Sequence, residues 1–227
     1  MSEGSLDELR RDRIDFGRWI IAGWNLIKND LPGYVVAAFI LVVVGIGSLR
    51  IWVPLGIAIL GPLQAGFFLM AAGHIRTGRP IIGDVFAVFT EPRILFQVLL
   101  ASLFIGILVA LGTALCVIPA LLALGIWMFT FLFITDRGLD FWDAMEASRE
   151  VAKNDYLEFA LFALVLVVLN MAGVLVFGIG VLFTLPVSFA AITCAYRELV
   201  GLASRPAIRT GSDEPSSKPP PGSDIIS

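Results

Sequence analysis

One histidine, two cysteines and a scatter of end-of-helix carboxylates are the residues from which chemistry would have to be built. His74 stands alone, which excludes a two-histidine zinc motif and leaves a Ser-His-Asp triad hard to assemble. Lying beside Arg76 at the end of an apolar run, it reads as an interface side chain that snorkels to water. Cys116 and Cys194 sit at opposite ends of their apolar segments, roughly 20 Å apart in depth at 1.5 Å per helical residue. A disulfide cannot bridge that separation. Asp84 and Asp143 each fall in the first turn of an amphipathic stretch, where the helix dipole accounts for them. Gly45-Ile46-Gly47 and Gly178-Ile179-Gly180 fall where apolar runs must turn, so they read as turn residues rather than a phosphate loop. No catalytic set, cofactor site or metal site is expected.

What stands out instead is polar chemistry inside charge-free sequence. Gln64 and Asn170 are long amides placed well inside apolar runs. At such depth they are expected to face a protein interior or a solute path rather than lipid. Gly61-Pro62, just before Gln64, reads as a proline kink, with a broken helix of the transporter kind as the alternative.

The elements that carry these residues are dictated by composition. Of 227 residues, 58% are hydrophobic and 15% charged, against roughly a quarter charged in soluble domains. Mean hydropathy is +0.89. A net charge of −3 offers no basic surface for nucleic acid. An integral membrane protein is the class that remains.

Four stretches, 31–49, 51–75, 94–135 and 159–196, contain no Lys, Arg, Asp or Glu. A helix crosses the hydrocarbon in about 20 residues, so the first two are one crossing each and the last two are two each. The residues between Gly112 and Pro119, and Gly178 with Gly180, supply the inner turns. The expected fold is therefore all-α, a polytopic bundle of six transmembrane helices near 31–49, 52–74, 94–113, 117–135, 157–177 and 180–200. Of the 16 Lys and Arg, only Arg50 then falls on one side. The positive-inside rule puts both termini in the cytoplasm, in a bacterial inner membrane. The expected organisation is a cytoplasmic segment at 1–30, a membrane domain at 31–203 and a Pro- and Ser-rich disordered tail at 204–227. The charged first 30 residues do not resemble a cleavable leader.

Each pair of crossings is preceded by an amphipathic stretch, at 16–28, 80–91 and 140–153. In the last, Asp140 is the expected N-cap. Phe141, Ala144, Met145, Ser148, Val151 and Ala152 share one face. The second and third are approached alike, by Arg76-Thr77-Gly78 and Asp136-Arg137-Gly138. Three repeats of interfacial helix plus hairpin are expected. Trp19, Trp24, Phe86, Phe89, Phe141, Trp142 and Met145 are the expected interfacial anchors. A leaflet crowded by three such helices is also a means of shaping the membrane. Pairs such as Gly61/Ala65, Gly106/Ala110 and Ala191/Ala195 are expected to let helices approach closely.

Asp143-Ala144 followed by Ser148, Lys153-Asn154, Gly178-Ile179-Gly180, Thr184-Leu185-Pro186 and Ala195-Tyr196-Arg197 together resemble a loose group of bacterial multi-pass proteins. The group comprises uncharacterised six-span inner-membrane proteins and the membrane domain fused to some glycerophosphodiester phosphodiesterases. The likeness runs over about 60–200 and is strongest over 136–200. It implies a helical bundle with cytoplasmic connecting helices and brings no catalytic residues with it.

The functional expectation is a non-enzymatic membrane protein that organises or shapes the bilayer or assists a partner there. Its partners are the lipid bilayer and a membrane protein or a second copy of itself. The alternative is a transporter or channel for a neutral or lipidic solute, with Gln64 and Asn170 on its path.

Overall fold

The computed structural model describes residues 15–208 apart from 29, 52, 116, 177 and 205; the side chains at 46, 48–51, 53–55, 57 and 58 also lie outside the description. Among the described residues there are helices and no strands. In chain order they are α1 (Phe16–Ile27), α2 (Leu31–Ile51), α3 (Val53–Thr77), α4 (Asp84–Ala87) with a 3-10 turn (Val88–Thr90), α5 (Pro92–Leu115), α6 (Val117–Ile126), α7 (Thr130–Arg137), α8 (Phe141–Ala152), α9 (Tyr156–Leu175) and α10 (Val181–Leu199).

Three helical segments are long and apolar enough to cross a membrane: Pro92–Leu115, Val117–Arg137 and Tyr156–Leu175. The pair Phe16–Ile27 and Leu31–Gly45, bent by 103°, makes a fourth if taken as one broken span. Large apolar side chains point outward from these helices, among them Leu103, Ile107 and Leu111 on α5 and Leu157, Leu161 and Val168 on α9. Outward Leu and Val faces of this extent are compatible with a hydrocarbon surrounding.

The helices are held by close approach at small residues. α1 lies along α10, and a Cβ on Gly23 would sit 2.7 Å from the Ala191 nitrogen. α6 meets α9 at Gly125, where a Cβ would be 2.7 Å from the Phe159 backbone. Only hydrogen fits at either crossing. Gly61 and Ala191 from the expected small-residue pairs do lie at contacts, against Ser102 and Gly23, whereas Gly106 meets nothing within 4 Å. Around these crossings aromatic rings fill the core: Trp19 against Phe159 and Phe162, Tyr34 against Phe67, and Tyr196 against Phe129 and Phe133.

Several expectations need correction. Gly45 and Gly47 lie within α2 rather than in a turn; Gly112 lies within α5, and the change from α5 to α6 comes between Leu115 and Val117, inside the expected stretch 112–119. In lipid a backbone amide has no water to bond, so the helix continues as far as it can. Gly112 serves packing instead, against Ala120 of α6. Gly178, with φ of 73°, and Gly180 do lie between helices. The stretch 80–91 is not one helix. Residues 81–83 form a turn, and only Asp84–Ala87 and the 3-10 turn are helical. At the start of the expected tail, Ala207 donates its N–H to the Asp136 carbonyl (3.1 Å), and Ile208 is buried. The rest of the expected tail, 209–227, and Cys116 lie outside the described residues.

The proline in α3 does not break it: the helix runs through Pro62 to Thr77. The break comes elsewhere, between α6 and α7, at Trp127, Met128 and Phe129. Ser148 of α8 stitches it. Its hydroxyl donates to the Ile126 carbonyl (2.7 Å) and accepts from the Phe129 N–H (3.3 Å). A fully buried serine on an otherwise apolar face thus pairs the backbone groups that the break frees.

Candidate functional site

Two regions concentrate polar chemistry. The first joins helix ends. Asp136, almost fully buried at the end of α7, pairs with Arg76 from the end of α3. Its Oδ2 accepts from the Ala203 N–H (2.9 Å) and from the Tyr196 hydroxyl (3.4 Å). Arg137 lies over the Phe133 ring and donates to Tyr196 Oη (3.2 Å) and to the Val200 and Gly201 carbonyls at the end of α10. Arg18 and Trp19 of α1 both bond Glu198 of α10. His74 Nδ1 lies 3.0 Å from the Tyr34 hydroxyl, and its Nε2 lies 3.5 Å from Asp30. His74 is only 7% exposed, so it does not snorkel to water; it links the start of α2 to the end of α3. α3, α7 and α10 are each followed by a left-handed glycine, Gly78, Gly138 and Gly201, at φ of 77°, 68° and 81°. That conformation costs a glycine least.

The second region is a cleft of about 510 Å³ in the middle of the bundle. Its walls come from α3, α5, the α6–α7 break, α9 and α10. They are almost wholly apolar, including Phe68, Met128, Phe131, Leu166 and Phe189. Both amides singled out in the sequence line it, with Ser188 and Trp127. Asn170 Nδ2 donates to the Leu166 carbonyl and to Ser188 Oγ, each at 2.8 Å. Its Oδ1 is buried with no partner among the described residues. Gln64, half-buried in the same wall, has no hydrogen-bond partner among them either. The expected bond from Gln64 to a neighbouring helix or to carbonyls near Pro62 is therefore absent among the described residues. Among the described residues, no His, Cys, Asp, Glu, Lys or Arg lines the cleft.

The expected anchors divide into three groups. Trp19 (0% exposed) and Met145 (4%) pack inside the protein. Trp19 is trapped between α9 and α10 because its indole N–H is drawn to Glu198, and Met145 lies on the α8 face turned to the bundle. Phe141 is half-buried. Trp24, Phe86, Phe89 and Trp142 point outward. Asp140 takes the N-cap position of α8 without capping it. Its carboxylate accepts from Gln97 Nε2 (3.0 Å) and Arg93 (3.3 Å). Gln97 Oε1 in turn accepts from the Phe141 N–H (2.9 Å), so the cap comes from α5.

Sequence reasoning missed the Asp136 cluster, the α6–α7 break and the bonds of Ser148 to it. Asp136 and Arg76 were visible only as matching tripeptides, and neither a proline nor a charge marks the break.

Two uncharacterised proteins, one from Mycobacterium bovis and one from Mycobacterium tuberculosis, are each 32% identical to the chain over 127 residues. The match covers 56% of this chain and 38% of each relative. The chain thus spans well under half the length of the curated relatives it matches. No family model and no solved structure matches it.

Proposed function

We propose that this chain is a multi-pass protein of a bacterial cytoplasmic membrane that works without catalysis, by organising the lipid around it or assisting a membrane partner. The observation that carries the reading is the division of the molecule. Apolar faces of α5 and α9 point outward, while ion-paired and hydrogen-bonded polar residues gather where the ends of α3, α7 and α10 meet α1 and the start of α2. Six crossings with both termini cytoplasmic fit this division, with α6 and α7 counted as one. Helix ends tied by Asp30, His74, Arg76, Asp136 and Glu198 must share a side, and that is the side to which the positive-inside count assigns them.

Those same contacts support a non-catalytic role. His74, Asp136, Asp140 and Glu198 are engaged in joining helices. Three units of peripheral helix and hairpin are supported by the three left-handed glycines that follow α3, α7 and α10. Organising is favoured over wedging. Ala144, Met145, Ser148 and Ala152 of α8 are buried against the bundle, and a face already packed on protein cannot enter a leaflet. Outward Trp24, Phe86, Phe89 and Trp142 suit anchoring at headgroup depth.

A second reading, passage of a neutral or lipidic solute, draws on one observation: Gln64 and Asn170 line the same cleft. The two readings part on extraction in native lipid with a membrane-solubilising polymer. Organisation predicts a reproducible subset of lipids, or one membrane protein, enriched about tenfold over the bulk membrane. A lipid profile identical to bulk with no accompanying protein would contradict it.

A further inference from the structure

We propose that the mid-bundle cleft binds a neutral amphiphile drawn from the lipid phase: a hydrocarbon tail bearing one uncharged hydrogen-bonding group, an alcohol or a carbonyl, that pairs with Gln64. The proposal deepens the membrane reading above and rests on it.

Four observations converge. The volume, about 510 Å³, lies within the roughly 300–1,000 Å³ of small-molecule sites. The lining is apolar, and its polar side chains, including Gln64, Asn170 and Ser188, are all uncharged. A charged headgroup entering it would lose its hydration and meet no counter-charge. The walls include all three segments long and apolar enough to cross a membrane, and Val167, Met171 and Val174 at the cleft are also exposed outward. The cleft therefore opens sideways towards lipid. Finally, one wall is the break between α6 and α7, with Trp127 and Met128 at it. Val117–Arg137 stays one span through it, and irregular backbone at membrane depth is tolerated where it is buried in protein or lines a cavity.

The polar groups define the head. Asn170 spends its amide N–H groups on Leu166 and Ser188. Gln64 keeps both a donor and an acceptor free of described partners. A primary amide meets a hydroxyl in either role and a carbonyl through its N–H.

The test is photo-crosslinking of the full chain in lipid nanodiscs. The probe is a long-chain alcohol carrying a diazirine in its chain; a phosphatidylcholine with the same diazirine is run in parallel. The alcohol is expected to label 124–131 and 163–174 saturably. Excess unlabelled prenyl alcohol or diacylglycerol should displace it, and which of them does so identifies the source. Excess phosphatidylcholine should not. Gln64→Leu should weaken apparent affinity about three- to tenfold, the worth of one hydrogen bond. Val167→Phe, at the half-open rim, should abolish saturable labelling while size-exclusion behaviour stays normal. Labelling that rises linearly with probe, that phosphatidylcholine displaces equally well, or that Val167→Phe leaves unchanged overturns the proposal. The phosphatidylcholine probe should label outward Leu103, Ile107 and Val168. Failure there sinks the membrane reading itself, and the cleft proposal with it.

Discussion

Asp136→Ala is expected to destabilise the protein by about 3–5 kcal/mol, the cost of removing one partner from a buried ion pair. Folded domains hold only about 5–15 kcal/mol in total. The loss follows from what would be stranded. Arg76 already has two guanidinium nitrogens, Nε and Nη1, buried without a partner among the described residues. Without Asp136 its charge is paired with no carboxylate among the described residues, and the Ala203 N–H loses its acceptor. Because these contacts join α3, α7 and the chain after α10, the bundle should loosen at one end. The midpoint of thermal unfolding in detergent, read by loss of the monodisperse species, measures the effect. The double change Arg76→Met with Asp136→Leu should recover much of the loss, since no charge is then left unpaired. Wild-type stability in Asp136→Ala alone would show that the pair does not hold the helix ends together.

Met145→Glu is expected to cost more than about 3 kcal/mol, or to expel α8 from its place. Met145 is 4% exposed, on the α8 face that also buries Ala144 and Ser148. A carboxylate there would be desolvated with no partner. Glu146→Gln, one residue along, is expected to change nothing measurable. Glu146 is exposed and bonded only across one helical turn to Arg149, whose guanidinium holds its carboxyl below the usual range. Unfolding midpoints of the two variants make the comparison. Equal losses would mean that α8 is rotated from the orientation described.

Helix positions were legible because the absence of charge is itself the signal. The runs 31–49, 51–75, 94–135 and 159–196 each hold helices, and Gln64 and Asn170 stood out as the long amides inside them. Turns were less legible. Gly45, Gly47 and Gly112 look like turn residues by aqueous rules, yet they are helical because an apolar surrounding rewards continued backbone pairing. The amphipathic period of 140–153 placed Met145 and Ser148 on one face correctly. It could not say whether lipid or protein covers that face, since the period is the same for both. The bond from Ser148 to the break at 126–129 joins segments about twenty residues apart, and no local pattern encodes it. Asp136 and Arg76 showed only as members of matching tripeptides, because a pairing sixty residues apart in sequence leaves no local trace.

The six-span arrangement with both termini cytoplasmic is tested most directly by cysteine accessibility, in a background with Cys116 and Cys194 replaced by alanine. Ile179→Cys, exposed between α9 and α10, should react with a membrane-impermeant maleimide on intact cells. Thr77→Cys at the end of α3 and Glu150→Cys on the outer face of α8 should react only after permeabilisation. Reaction of Thr77→Cys on intact cells, or of Ile179→Cys only in opened ones, would contradict the account.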